Sequence, residues 1–179
     1  MKLQLQAELF RRYPCFFRTP GKRLVQLNSG VDDAHLVQAA EPFDEWGVEC
    51  GDGWFNLIDR LCRECEREIE RLDSLGVPRE RWPRVAQIKE KFGSLRFYAR
   101  GCLPEELREL IQEISEKSRL TCELCGAFKK SRAAEAWHST TCDDCTRKPA
   151  EQPLAFDKQF HAQLQVLLAS RTDRGPRVV

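Results

Sequence analysis

Cys122-Glu-Leu-Cys125-Gly126 sets two thiols three residues apart, with a glycine after the second where the backbone can turn back beneath them. Cys142-Asp-Asp-Cys145 repeats the pair further along the chain. Four thiolates at two such spacings form the donor set of a closed tetrahedral site, the kind that structural zinc prefers. A metal enclosed in this way has no position open to water or substrate, so one Zn²⁺ here is expected to hold the fold and not to do chemistry. His138 lies close before Cys142 and is the alternative fourth donor, while Trp137 beside it is expected to cover the knuckle. Between the pairs, Lys129, Lys130, Ser131 and Arg132 read as an exposed loop of a zinc ribbon or treble-clef finger. Lys129, Lys130 and Arg132 are therefore candidate partner contacts.

The remaining thiols invite less chemistry. Cys62-Arg-Glu-Cys65 shares the spacing, but a redox pair belongs at a helix N-terminus, where its thiolate is stabilised, and these two fall inside a continuous apolar helix stripe. Core packing is the expectation for both. Cys15, Cys50 and Cys102 stand alone. There is no phosphate loop, no H-E-x-x-H, no nucleophile elbow and no dinucleotide fingerprint. His35, His138 and His161 lie far apart in the chain. Cys50-Gly51-Asp52-Gly53-Trp54 is the most unusual string, with two glycines that could bring backbone close to a ligand or simply make a tight turn into a helix capped by Asp52.

Several elements must position these residues. Leu3, Leu5, Ala7 and Leu9 alternate as in a strand, yet Leu5, Leu9 and Tyr13 fit a helix face equally well. Arg23 to Leu27 suits a short strand, and Asp32 an N-cap for a helix over 34–40 that ends at Pro42. The clearest helix spans 53–75, where Trp54, Ile58, Leu61, Cys65, Ile69 and Leu72 recur at spacings of three and four and the opposite face is a ladder of Arg, Glu and Asp. Residues 84–100 predict a β-hairpin turning at Phe92-Gly93-Ser94, with Leu95, Phe97 and Ala99 facing the core and Arg96, Tyr98 and Arg100 facing out. Pro104 opens a helix to about Ser118. After the Pro149 to Pro153 linker, a last helix carries Phe156, Phe160, Leu164, Leu167 and Leu168. That helix is the natural place for a homodimer contact.

The fold class is α+β: helices around a short β-hairpin, with an inserted zinc-ribbon or treble-clef module and a C-terminal helix. The expected divisions are a core over 1–119, the metal module over 120–148, and linker plus final helix over 149–179. The chain has 179 residues, of which 29 are basic and 28 acidic, so its net charge of +1 argues against a surface wholly devoted to coating nucleic acid. No long apolar run is present, and MKLQLQAELFRR does not build a signal-peptide core. The expectation is a cytoplasmic protein with no membrane partner. Nine cysteines without an export signal then read as metal ligands and buried thiols, not as a disulfide framework.

C-G-D-G-W-F at 50–55, K-E-K-F-G-S-L-R-F-Y at 89–98 and T-C-E-L-C-G at 121–126 together resemble a group of small uncharacterised bacterial and phage or prophage zinc-binding proteins. The resemblance covers about residues 46–145 and implies no enzymatic activity. It points to phage accessory or host-interaction proteins and to a bacterial host cell.

Function then divides three ways. The leading expectation is a non-enzymatic, zinc-stabilised interaction protein that inhibits or modulates a host complex by binding one of its proteins. The second is a nucleic-acid-binding zinc protein using the basic stretch 79–100. Its seven cations, set against Glu80 and Glu90, include Lys89, Lys91, Arg96 and Arg100, with Tyr98 among the interleaved aromatics. Against this, the hairpin arginines could simply pair with the acidic faces of the neighbouring helices. The third is an enzyme with no recognisable motif.

Overall fold

The computed structural model describes residues 1–19, 41–129, 140–147 and 158–171. The expected strand at 23–27, the helix over 34–40, and Phe156 lie outside them.

The N-terminal segment meets both periodicities, and the helix wins: α1 spans Leu3–Arg12. Gln6, Leu9 and Phe10 bury on one face, while Glu8 pairs with Arg11 and Arg12 on the other. The Gln6 amide ties α1 to two distant parts of the backbone, donating to Met1 O at 2.9 Å and accepting from Val48 N at 3.0 Å. Helix α2 (Pro42–Trp46) leads into strand β1 (Val48–Glu49), and a single 3-10 turn, Asp52–Trp54, starts helix α3 (Phe55–Ser74). On α3 the stripe Ile58, Leu61, Cys62, Cys65 and Ile69 is fully buried, and Gly76 in the left-handed region (φ +68) lies just past its end.

Strands β2 (Arg84–Lys91) and β3 (Ser94–Arg100) form the expected hairpin. Phe92 and Gly93 take φ 55 and 76, the paired positive values of the tight turn whose twist matches a right-twisted ribbon. Leu95 and Phe97 are buried and Ala99 packs against the core, while Tyr98 and Arg100 point outward. The sheet has a third strand that no alternation announces: β1 pairs parallel to β2, Val48 beside Ile88, giving the order β1-β2-β3. A bulge between Val85 and Gln87 bends β2.

Helix α4 (Glu105–Arg119) packs against β3 and α3. Leu95 N donates to Ser118 Oγ at 2.7 Å, and that hydroxyl donates to Ser115 O at 2.6 Å, tying the end of α4 to the start of β3. The aromatic cluster after α1 fills the interior, with Phe16 stacked on Phe97 at 5.5 Å and Phe17 against Phe10 and Phe43. Arg18 is buried yet satisfied, donating to the carbonyls of Cys15, Pro83, Arg79 and Trp82 at 2.7–3.1 Å.

A short helix α5 (Asp143–Arg147) carries Cys145. The last helix, α6 (Lys158–Ala169), packs against α1 and α2, where Leu164 and Leu168 are buried, Gln165 donates to Glu45 O at 2.7 Å, and Arg171 ion-pairs with Asp44. The apolar stripe expected to reach a second copy is thus covered at these leucines by the chain's own helices. The fold is a mixture of helix and strand, six helices around a small three-stranded sheet among the described residues. No described helix is long and apolar enough to cross a membrane.

Candidate metal centre

Residues 121–128 fold back on themselves. Thr121 bridges Phe128, Cys122 N donates to Ala127 O at 2.8 Å, and Gly126 N donates to Cys122 O at 2.9 Å. Gly126 takes φ +76 at the turn, a conformation its missing Cβ makes inexpensive. Glu123 N then donates to Thr140 O at 2.8 Å, which brings up the segment holding the second pair, with Cys142 just before α5 and Cys145 on it.

The four sulfurs lie within 4.8 Å of one another, and none is in a disulfide. Cys125 Sγ and Cys142 Sγ are 3.7 Å apart. A tetrahedron of thiolates about 2.3 Å from a central ion has edges of about 3.8 Å, so the spacing suits a metal ion. Electrostatics agree. Burial alone would push the Cys122 thiol up, but the N–H groups of Cys125, Cys142 and Leu124 favour its thiolate and bring it down to about 7. Cys145 goes the other way, held at about 12 first by its contact with Cys125 and then by burial and the other two sulfurs. Cys125 is also raised: Ala127 N–H favours its thiolate, but burial and the sulfurs of Cys122 and Cys142 outweigh that. Four thiols this close cannot all ionise without a cation between them, and Cys122, Cys125, Cys142 and Cys145 could hold one.

The knuckle docks on the string at 50–54. Gly53 N donates to Glu123 O at 2.7 Å, Gly51 N donates to Glu123 Oε1 at 2.8 Å, and Trp54 Nε1 donates to Thr121 O at 2.9 Å. A Cβ on Gly53 would lie 2.3 Å from Cys122 O and 2.4 Å from Gly126 N, and one on Gly51 would lie 2.4 Å from Glu123 O. The two glycines therefore do bring backbone close to something, namely the backbone of the cysteine turn. The expectation of Asp52 as a side-chain cap is not met: its carboxylate accepts from Lys2 N at 2.8 Å.

Lys129 differs from the sequence expectation. Only 8% exposed, it is no loop-tip contact; burial pushes its ammonium pKa down, while Cys122, Glu123 and Glu90 pull it back up. A cation there faces the negative charge that four thiolates would bring. Lys130, Arg132, Trp137 and His138 lie outside the described residues, as does His35. The His161 ring lies 5.7 Å from that of Trp46, tilted by 50°. Burial drives the thiols of Cys15, Cys50, Cys62 and Cys65 up, that of Cys15 to about 12, which leaves them unreactive core residues.

Among the described residues, no ion pair joins a cation of β2 or β3 to the acidic faces of α3 and α4. Those faces satisfy themselves through Arg60–Glu113, Arg67–Glu64, Arg71–Glu68 and Arg108–Glu105. Arg84 and Arg100 both reach Glu41, at 3.2 and 3.3 Å. Lys89 and Arg96, directly opposite each other in the register, have no ion-pair partner among the described residues.

Comparison of the chain with family models, with curated proteins and with solved structures finds no match in any of the three. The reading of the site therefore rests on its own geometry.

Proposed function

We propose that Cys122, Cys125, Cys142 and Cys145 hold one structural zinc ion, and that the chain is a non-enzymatic interaction protein built around it. In this reading it is a phage-encoded inhibitor or modulator that acts in the bacterial cytoplasm on a host complex. The observation that carries the metal is the mutual approach of the four sulfurs to within 4.8 Å in a turn whose backbone is already hydrogen-bonded to the rest of the fold. Zinc is the natural occupant because all-thiolate tetrahedra favour it, and four protein ligands leave no open position for a reaction. A backbone turn bearing the first pair followed by a short helix bearing Cys145 favours the treble-clef arrangement over the ribbon.

Support for a binding role comes from the residues the chain leaves outside. Leu124 and Phe128 on the cysteine turn and Phe92 at the hairpin tip are exposed, as a contact surface would require. Leu164 and Leu168 are already covered, so a dimer through α6 is no part of this reading. The second reading, a nucleic-acid binder, is favoured by one observation, that Lys89 and Arg96 have no ion-pair partner among the described residues.

The test is capture of partners from bacterial lysate by tagged protein, with and without nuclease, with zinc measured on the same sample. Zinc at one per chain with a partner retained is the expected result. A chain that carries no zinc, or that retains nothing under either condition, would contradict it.

A further inference from the structure

We infer that the outward face of the β2–β3 hairpin is a binding site for single-stranded nucleic acid; this rests on the second reading above, the nucleic-acid binder, and names its site and ligand.

Register assigns the face. Beyond the bulge, Gln87 stands opposite Tyr98, Lys89 opposite Arg96 and Lys91 opposite Ser94, and at the far end Arg84 stands opposite Arg100. Alternation puts Arg96, Tyr98 and Arg100 on one side of β3, each about 7 Å from the next, a spacing on the scale of one extended nucleotide step. Tyr98 is 46% exposed and lies between two arginines; Phe92 at the hairpin tip is 66% exposed, with Lys91 Nζ 5.1 Å from its ring centroid. Rings flanked by cations are the parts a single strand needs: stacking surfaces for unpaired bases and charges for the phosphates between them.

The counter-charges on this face are few. Glu41 takes Arg84 and Arg100, and Glu49, beside Lys89 across β1, accepts from Gln87 Nε2 at 2.9 Å. Among the described residues Lys89, Lys91 and Arg96 are in no ion pair, although the Glu49 carboxylate stands beside Lys89, so up to three phosphates can be met by a local site compatible with a net charge of only +1. An acidic protein surface is the rival occupant and an outcome of the test below; the alternation of ring and cations along β3 at about one nucleotide step favours the single strand.

The experiment uses the full-length, zinc-loaded protein and fluorescence anisotropy of labelled oligothymidylate and oligouridylate. Binding should saturate at 50 mM salt and weaken about twentyfold by 200 mM, the slope for three phosphates on a single strand. The double variant Lys89→Glu/Arg96→Glu should lose at least about tenfold in affinity at 50 mM, with unchanged zinc content and melting temperature. Tyr98→Leu should weaken binding without changing the salt slope, because it removes stacking and no charge. Oligouridylate binding more tightly than oligothymidylate would identify RNA as the ligand, and the reverse DNA. Absence of saturable binding to either oligonucleotide, equal affinity for a duplex, or unchanged binding by the double variant would overturn the inference. So would a stoichiometric host protein captured after nuclease equally well by wild type and double variant. That last result would leave the proposed interaction function standing, whereas a zinc-free chain would remove the proposed function independently of the oligonucleotide result.

Discussion

Gly53→Ala tests whether the cysteine turn and the start of α3 act as one unit. The added Cβ would sit 2.3 Å from Cys122 O, 2.4 Å from Gly126 N and 2.8 Å from Cys125 N, all of them backbone atoms that no side-chain rotation can move aside. The turn must back away. Doing so stretches the bond from Gly53 N to Glu123 O and threatens those from Gly51 N and Trp54 Nε1. Each hydrogen bond is worth about 1 kcal/mol, so two or three give a loss of about 2–3 kcal/mol. For a chain of this size that lowers Tm by roughly 4–12 °C. The same displacement disturbs two metal-bearing residues, so zinc affinity should fall by roughly 30-fold or more, the factor that about 2 kcal/mol represents. Calorimetry of the zinc-loaded and zinc-free forms, with a competition titration against a chelator, reads both. Gly76→Ala is the control: its Cβ meets nothing within 4 Å, so it bears only the strain of φ +68, about 1–2 kcal/mol, and should leave zinc affinity alone. Wild-type Tm together with wild-type zinc affinity in Gly53→Ala would refute the coupling.

Other substitutions reach other parts of the account. Arg18→Met leaves the carbonyls of Cys15, Pro83, Trp82 and Arg79 without their donor inside the fold and should cost about 3–5 kcal/mol in chemical denaturation; a loss under about 1 kcal/mol would show that water replaces the guanidinium. Phe92→Asn relieves a bulky residue at φ 55 in a turn that prefers Asn-Gly, so stability should rise by about 0.5–1 kcal/mol, and a fall in Tm would contradict the turn assignment. Stripping the metal with a chelator should free the knuckle from fully buried Trp54 and shift its fluorescence to the red, a shift that Trp54→Phe removes, while the far-UV signal of α3 and α4 persists because their buried stripes are held in the hydrophobic core. An unchanged emission spectrum would mean that the knuckle stays docked without metal.

How far the sequence reaches depends on the range of the interactions involved. The hairpin was legible because Leu95, Phe97 and Ala99 alternate with Arg96, Tyr98 and Arg100 on either side of one buried face. The long α3 was legible because its apolar stripe repeats over five turns. Strand β1 was not, since two residues are too short to show a period and its pairing to β2 spans about forty positions. The four cysteines could be grouped because thiol spacing reports a shared ion; the place where they dock could not, because Gly51 and Gly53 meet Glu123 only through tertiary packing. Lys129 stood in a basic run and read as solvated, yet the turn folds it in beside Cys122. The stripe of α6 was visible, but a stripe does not say whether its cover is another copy or the same chain; at Leu164 and Leu168 it is the chain's own core beside α1 and α2.

The central claim is that one zinc ion sits among Cys122, Cys125, Cys142 and Cys145. Native mass spectrometry of the purified protein tests it most directly, alongside Cys142→Ser and Cys62→Ser. The account predicts one zinc per chain in the wild type and in Cys62→Ser, and none held by Cys142→Ser after dialysis against a weak chelator. A wild-type chain that carries no zinc as purified, or zinc lost from Cys62→Ser and kept by Cys142→Ser, would contradict it.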